Sequence, residues 1–117
     1  MAKVIPFDKW IMNSVIKKID LIKISTEGSE LAVLKGMKEV TKGYLPLIIV
    51  ELNPFTLSRF SLKTVDVISY LHEFTYDIFR ITEKGILIKF DSDNVNDTIN
   101  LLLVPSAKSN SVSHLLE

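Results

Sequence analysis

Ile19-Asp20-Leu21-Ile22-Lys23-Ile24-Ser25-Thr26-Glu27-Gly28-Ser29-Glu30-Leu31-Ala32-Val33-Leu34-Lys35-Gly36 is the stretch whose reading decides the fold. Ile19–Ile24 has few polar positions, which predicts a strand buried on both faces of a parallel sheet. A polar corner follows, and Gly28 allows it to be tight. From about Ser29 to Thr41 the pattern turns helical, with Leu31, Leu34, Met37 and Val40 on one stripe. Thr26 or Ser29 can cap that helix, and Gly43 followed by Pro46 stops it. Strand, corner and helix in this order make the opening of an α/β unit.

Upstream, Pro6-Phe7-Asp8 predicts a helix start, continuing through about Lys17 with Phe7, Ile11 and Val15 on one stripe. Pro6 suits the first turn, and Asp8 complements the helix dipole there. Downstream, Leu47–Leu52 is the clearest strand, rich in β-branched residues and closed by Asn53-Pro54. Phe55–Lys63 reads as a loop, and Thr64–Phe74 as a helix with Val65, Ile68 and Leu71 inward. Tyr76–Ile81 and Ile86–Phe90 form a hairpin about Lys84-Gly85, Asp91–Thr98 is polar loop, and Ile99–Val104 is the last strand. Alternation first and hairpin-like strands last predict an α/β fold, its mixed sheet flanked by helices, parallel at one side and antiparallel at the other. Residues 1–105 make one α/β domain. From Pro105 onward Ser, Asn and Lys predominate, so 106–117 reads as a flexible tail, with Leu116-Glu117 as a possible cloning remnant.

Composition narrows the function. At 117 residues, 47% of them hydrophobic and 24% charged, the chain is one domain of globular type. Lys plus Arg and Asp plus Glu number 14 each, so there is no basic footprint for nucleic acid. Apolar runs such as Leu101–Val104 fall far short of the roughly 20 residues of a membrane span. The absence of cysteine excludes disulfides and thiolate chemistry, and with no leader-like apolar core in Met1–Asp8 the expected compartment is the cytoplasm.

Ligands of open α/β sheets sit at the carboxyl ends of the parallel strands. Two carboxylates fall there: Glu27 after the first strand and Glu51 at the end of Leu47–Leu52. Such a pair could bind hydroxyls, take a proton or share a metal; equally, Glu27 could cap its helix and Glu51 pair with a Lys or Arg. His72 and His114 have no metal-ligand spacing, so no metal site is expected. Ser25, Thr26 and Ser29 lack a histidine base, which excludes a serine hydrolase. Trp10, Tyr44, Phe55 and Phe60 could line a groove, though scattered aromatics more often pack or stand singly exposed.

Lys23-Ile24-Ser25-Thr26-Glu27-Gly28-Ser29-Glu30 and the apolar helix ending Leu34-Lys35-Gly36 resemble the signature stretch of FkbM-type methyltransferases. That family's stretch reads Lys-Ile-Asp-x-Glu-Gly-x-Glu. The resemblance continues through Pro46–Glu51, Val67–Leu71 and Tyr76–Ile78, reaches Leu103-Val104-Pro105, and includes Val4–Ile11 upstream. It implies a Rossmann-like class I fold, S-adenosylmethionine as cofactor in the full-length family, and O-methyl transfer in many members. By this resemblance Glu27, Ser25 and Glu51 take the catalytic positions, and Glu27, Gly28, Glu51 and Asn53 the substrate-binding ones.

The sequence departs from the family at two points. Ser25 stands where the family has an aspartate, and serine cannot act as a base near pH 7. No Gly-x-Gly strand–turn–helix precedes Ile19, so the cofactor-binding half is read as absent and the chain as the C-terminal half, a fragment or degenerate form. Alone it is expected to be inactive and to bind no cofactor; the alternative is a non-catalytic interaction or structural module derived from that fold. An Ile19–Ile24 edge without its neighbour predicts a homodimer through that edge or the flanking helices.

Overall fold

The computed structural model describes residues 4–90 and 96–116. Its framework is a five-stranded sheet in the order β1-β2-β5-β3-β4. β1 (Leu21–Ile24) and β2 (Leu47–Leu52) run parallel, in a register that sets Leu21 beside Leu47 and Ile24 beside Val50. β5 (Ile99–Pro105) is antiparallel both to β2 and to β3 (Tyr76–Ile81), and β4 (Leu87–Lys89) closes the far edge against β3. The expected mixed sheet, parallel at one side and antiparallel at the other, is therefore present. The last strand in sequence lies at its centre.

β2 shows how one strand is divided between two faces. Ile48, Val50 and Leu52 are buried, while Leu47, Ile49 and Glu51 are half-buried on the other side. The first three join Ile24 of β1 and Ile99, Leu101 and Leu103 of β5 in the main core. Helices α2 (Glu30–Gly36), α3 (Lys38–Tyr44) and α5 (Thr64–Leu71) cover that side through Leu34, Val40, Val67, Ile68 and Leu71. On the opposite side Phe79, Leu87, Leu102, Val104 and Val112 make a second, smaller cluster. Nothing among the described residues covers the β1 end of that second side, where Leu21 is 55% exposed.

Several expectations change in detail, each for a local reason. The first helix, α1, spans only Phe7–Met12. The Ile11 carbonyl accepts from both the backbone N–H and the hydroxyl of Ser14, where a continuing helix would have bonded Val15 N, and Val15 ends up 93% exposed, off the apolar stripe. β1 is not buried on both faces: among the described residues it has one sheet neighbour, and nothing covers the face that carries Leu21 and Lys23, which are exposed. The Ser29–Thr41 helix is two helices, broken at Met37. The break leaves the first N–H groups of α3 unpaired, and Asp8 supplies the acceptors, from Glu39 N to Oδ2 and from Val40 N to Oδ1, both 2.8 Å. Asp8 thus caps a helix distant in sequence rather than only its own. The end of α3 comes at Leu45, which takes the left-handed conformation, with Gly43 still inside the helix.

Phe55–Lys63 is not wholly loop. Pro54 and Asn53 start a short helix, α4 (Pro54–Ser58), with the Asn53 side chain accepting from Phe55 N at 2.9 Å. In α5 the inward position belongs to Val67, and Val65 is exposed. Ser106–Leu115, in the segment that composition marks as a tail, winds into a 3-10 helix whose Val112 is buried. Its start is held by Asp77, which accepts from the Ser106 and Ser109 hydroxyls, and Leu116 bridges to Leu87. Of the expected polar loop, Asp91–Val95 lies outside the described residues, as does Glu117.

Tyr76 ties the start of β3 to the turn before β2 by donating to the Pro46 carbonyl at 2.7 Å. Burial pushes its phenol up to about 12. Tyr70 on α5 is raised as well, by burial first and then by the charges of Glu73 and Asp8. A phenol raised above its unfolded value of about 10 favours the folded state below that pH, and this contribution is lost as pH rises toward 12. Urea midpoints should therefore fall between pH about 9 and about 11, less steeply in Tyr76→Phe. Equal slopes for the two proteins would refute this linkage.

Candidate functional site

The corner after β1 is organised by a residue that the sequence reading passed over. Glu30 opens α2 and is 1% exposed. Its carboxylate accepts from Thr26 N at 2.7 Å, from the Thr26 hydroxyl at 2.8 Å and from Gly28 N at 3.0 Å. Three donors converging on one buried carboxylate fold the chain sharply back between strand and helix. Ser29 occupies the cap position without a side-chain cap bond; its hydroxyl donates instead to the Thr26 carbonyl at 3.4 Å. Glu27 sits at the outside of the bend, exposed and at φ 53. That conformation is uncommon for a residue with a side chain, and it turns the Glu27 carboxylate away from the knot beneath it.

Gly28 is needed here for a second reason. Its φ is 117, and a Cβ on it would stand 2.4 Å from the Thr56 carbonyl oxygen and 2.8 Å from the Phe60 ring. The close backbone approach is thus real, and what approaches is α4 and the residue packed after it. Phe60, 55% exposed, closes over the glycine from outside.

At the neighbouring strand end Glu51 is half-buried and lies opposite Asn100 of β5. The β1–β2 register pairs Ile24 with Val50, and its continuation sets Ser25 beside Glu51. Glu51 and Asn100 therefore form a cross-strand polar pair on the sheet face that helices α2, α3 and α5 do not cover, and Ser25, one residue past the end of β1, extends it into a short polar row. The next row inward on that face is Lys23, Ile49 and Leu102. A depression of about 680 Å³ opens beside it, lined by Lys23, Ile49, Arg80, Thr82 and Asn100 among others. Of the expected site residues, Ser25 and Glu51 share this row, Glu27 lies on the bend just beyond it, and Asn53 caps α4 through its oxygen. Asn100 was missed, although it is the one polar residue in the apolar run of β5.

Other candidates fall away from this place. His72 is exposed and lines a separate depression with Tyr76, Asp77 and Lys89, and His114 is exposed on the 3-10 helix. Trp10 stacks on Phe7 with ring centroids 5.7 Å apart and, with Val4–Phe7 and the outer face of α2, lines a groove of about 690 Å³. Phe55 lies under the Arg59 guanidinium, and Tyr44 donates to the Ile16 carbonyl. No group of three or more His, Asp or Glu suited to a metal occurs among the described residues. No helix there is long and apolar enough to cross a membrane.

Removing the Glu30 carboxylate should collapse the corner. Glu30→Ala leaves the buried Gly28 N–H and two Thr26 donors without an acceptor, at about 1–3 kcal/mol for each buried group left unpaired. The expected loss in urea unfolding is about 2–4 kcal/mol, smaller for Glu30→Gln, which keeps one acceptor oxygen. Gly28→Ala should cost at least as much, since the new methyl meets backbone. A loss below about 1 kcal/mol in Glu30→Ala would show that the knot is incidental.

The sequence model of the methyltransferase FkbM domain matches residues 2–78, about two thirds of the chain. The match runs from before α1 into β3 and includes the whole corner from β1 to α2, both strand ends and α4. No curated protein and no solved structure matches the chain. With the signature corner, the parallel β1–β2 pair and the flanking helices all inside that match, the chain belongs to the FkbM methyltransferase domain family.

Proposed function

We propose that this domain presents the acceptor side of an O-methyl transfer, holding a hydroxyl compound at the carboxyl ends of β1 and β2. The observation that carries this reading is the row Ser25–Glu51–Asn100 on the uncovered sheet face, next to an apolar row containing Ile49 and Leu102. A carboxylate at its centre can accept the hydrogen bond of a hydroxyl and, as the oxygen becomes more nucleophilic, its proton. Ser25 and Asn100 flank it as donors. Glu27 overhangs from the bend, and Asn53, whose oxygen is engaged by Phe55 N, keeps its NH2 to donate. Gly28 contributes by making the bend possible.

The family implies S-adenosylmethionine as methyl donor in general. We assign the donor no seat among the described residues: Gly28, after β1, is packed against Thr56 and Phe60. No step through the donor is assigned to these residues. The same packed glycine, with Ser25 in place of the family's aspartate, supports a second reading in which the chain alone is a non-catalytic interaction module.

Isothermal titration of the chain with S-adenosylmethionine should give no binding in the low micromolar range, and Ser25→Asp should transfer no methyl group from labelled donor. A low-micromolar Kd, or label transfer by that variant, would overturn this part of the reading. The acceptor side is tested separately by amide NMR with monosaccharides and small secondary alcohols. Shifts are expected at Ser25, Glu51 and Asn100, and should vanish in Glu51→Ala. Shifts confined to other surfaces would remove the row as a site.

A further inference from the structure

We propose that Ser106–Leu115 is a detachable strap. The domain alternates between a closed state, with Val112 seated on the second face of the sheet, and an open one in which the strap has left an intact sheet. The form of the segment carries the inference. Runs of 3-10 helix beyond three or four residues are uncommon, because their hydrogen bonds are poorly aligned. This one covers ten residues. Its period is the one that docking demands. With three residues per turn, Ser106, Ser109 and Val112 stand above one another on a single face. Those three meet the sheet, the serines through their hydroxyls on the Asp77 carboxylate and Val112 through its burial. An α-helix, at 3.6 residues per turn, would carry Val112 about 120° round from Ser106. The sheet therefore imposes the 3-10 form, and a segment that leaves the sheet has nothing to keep it.

The hold is slight and gathered at few points. Val112 is the buried residue of the segment, which otherwise contains four serines and an asparagine, residues that favour turns over helix interiors. Both serine contacts end on one carboxylate. Asp77 pairs with Val104 in the β3–β5 register, which places it on the strap's side of the sheet. Beyond it, Lys108 Nζ donates to the Leu45 carbonyl at 2.7 Å, Ser106 N to the Thr75 carbonyl at 3.1 Å, and Leu116 bridges to Leu87. β5 beneath is bonded along both sides, to β2 and to β3, and its side chains belong to both cores. Few apolar contacts over a strand that is fully paired without them are the marks of a unit that opens locally.

Opening uncovers ground next to the polar row. Below Glu51 and Asn100 on that face come Ile49 and Leu102, and one row further, by continuation of the register, Leu47 and Val104. Leu102, Val104 and Phe79 share one cluster with Val112. With the strap away, the apolar floor extends by one row, about 6–7 Å along the strands. Resting on the acceptor reading given above, the strap then sets how long an apolar substituent the acceptor can carry.

The chain has no cysteine, so an introduced thiol reports opening through its reaction with dithionitrobenzoate under native conditions. Val112→Cys should react at about 0.1–10% of its rate in denaturant, the share of a minor state, and nearly independently of urea below the unfolding transition. Val50→Cys, fully buried in the main core, should react at least about 10-fold more slowly and steeply faster with urea, because its exposure needs global unfolding. Adding Ser106→Ala and Ser109→Ala should speed Val112→Cys about 5- to 30-fold, the worth of two hydrogen bonds, and leave Val50→Cys unchanged. Should Val112→Cys fail to fold by circular dichroism, amide exchange of the unsubstituted chain replaces it, with urea-independent opening expected for 106–116 and not for β2. The labelling reads the strap whether or not the polar row binds a hydroxyl compound, so failure of either reading is visible separately. A Val112→Cys rate or strap exchange that matches the core in size and urea dependence overturns the proposal, since strap and core then open only together. A Val112→Cys rate equal to that in denaturant overturns it too, since no closed state then exists.

Discussion

The buried carboxylate of Glu30 is the constraint on which the rest of this structure depends. By taking three donors from Thr26 and Gly28, it forces the chain to reverse within a few residues of the end of β1. That reversal sets α2 back over the sheet, so that Leu34 reaches the main core. It also presses Gly28 against α4, and so couples the two strand ends at which the polar side chains gather. A looser corner would let β1 and β2 keep their register while their ends drifted apart. The signature glutamate at this position is thus part of the scaffold, and the exposed Glu27 takes no part in the knot that folds the corner.

A division of labour follows between the two faces of the sheet. The helix-covered face holds most of the buried apolar residues and accounts for the stability of the domain. The other face is covered only at one side, by the 3-10 helix through Val112. Its remaining surface grades from the apolar Leu47 and Ile49 to the polar row of Ser25, Glu51 and Asn100. A surface of that kind binds by floor and rim together, with apolar rows against carbon and polar groups at one end to fix orientation.

Much of this was legible in the sequence, for physical reasons that differ between elements. β2 could be read to the residue because the β-branched run Ile48–Val50 sits in a short apolar stretch between two breakers, Pro46 and Asn53-Pro54. The mixed sheet followed from the change of pattern along the chain. What could not be read were effects that depend on distant partners. The break at Met37 is stabilised by Asp8, a cap that no local pattern announces. β1 looked doubly buried because its composition is apolar, yet burial depends on what packs against each face, and among the described residues one face of the strand is uncovered. Asn53-Pro54 was read as the end of a strand when it was also the start of a helix, since the same two residues serve both. At the site, spacing placed Ser25 and Glu51 at adjacent strand ends, but Asn100 enters only through antiparallel register with a strand far along the chain. Glu30 looked like one more charge on a helix until its burial was known.

The position of β5 has a consequence for how the domain comes to exist. Its residues are made after those of the other four strands, and they fill the gap between β2 and β3. Until they arrive, β1 with β2 and β3 with β4 are two separate ribbons, each with an inner edge open to other chains. During synthesis from the N-terminus, every other strand leaves the ribosome before Leu101 and Leu103 do. Emergence of β5, rather than of the first elements, is therefore the moment at which the sheet can close. A product stalled or truncated before β5 exposes both ribbons together. For a protein of this topology the burden on chaperones falls on the chain that has all its strands but one.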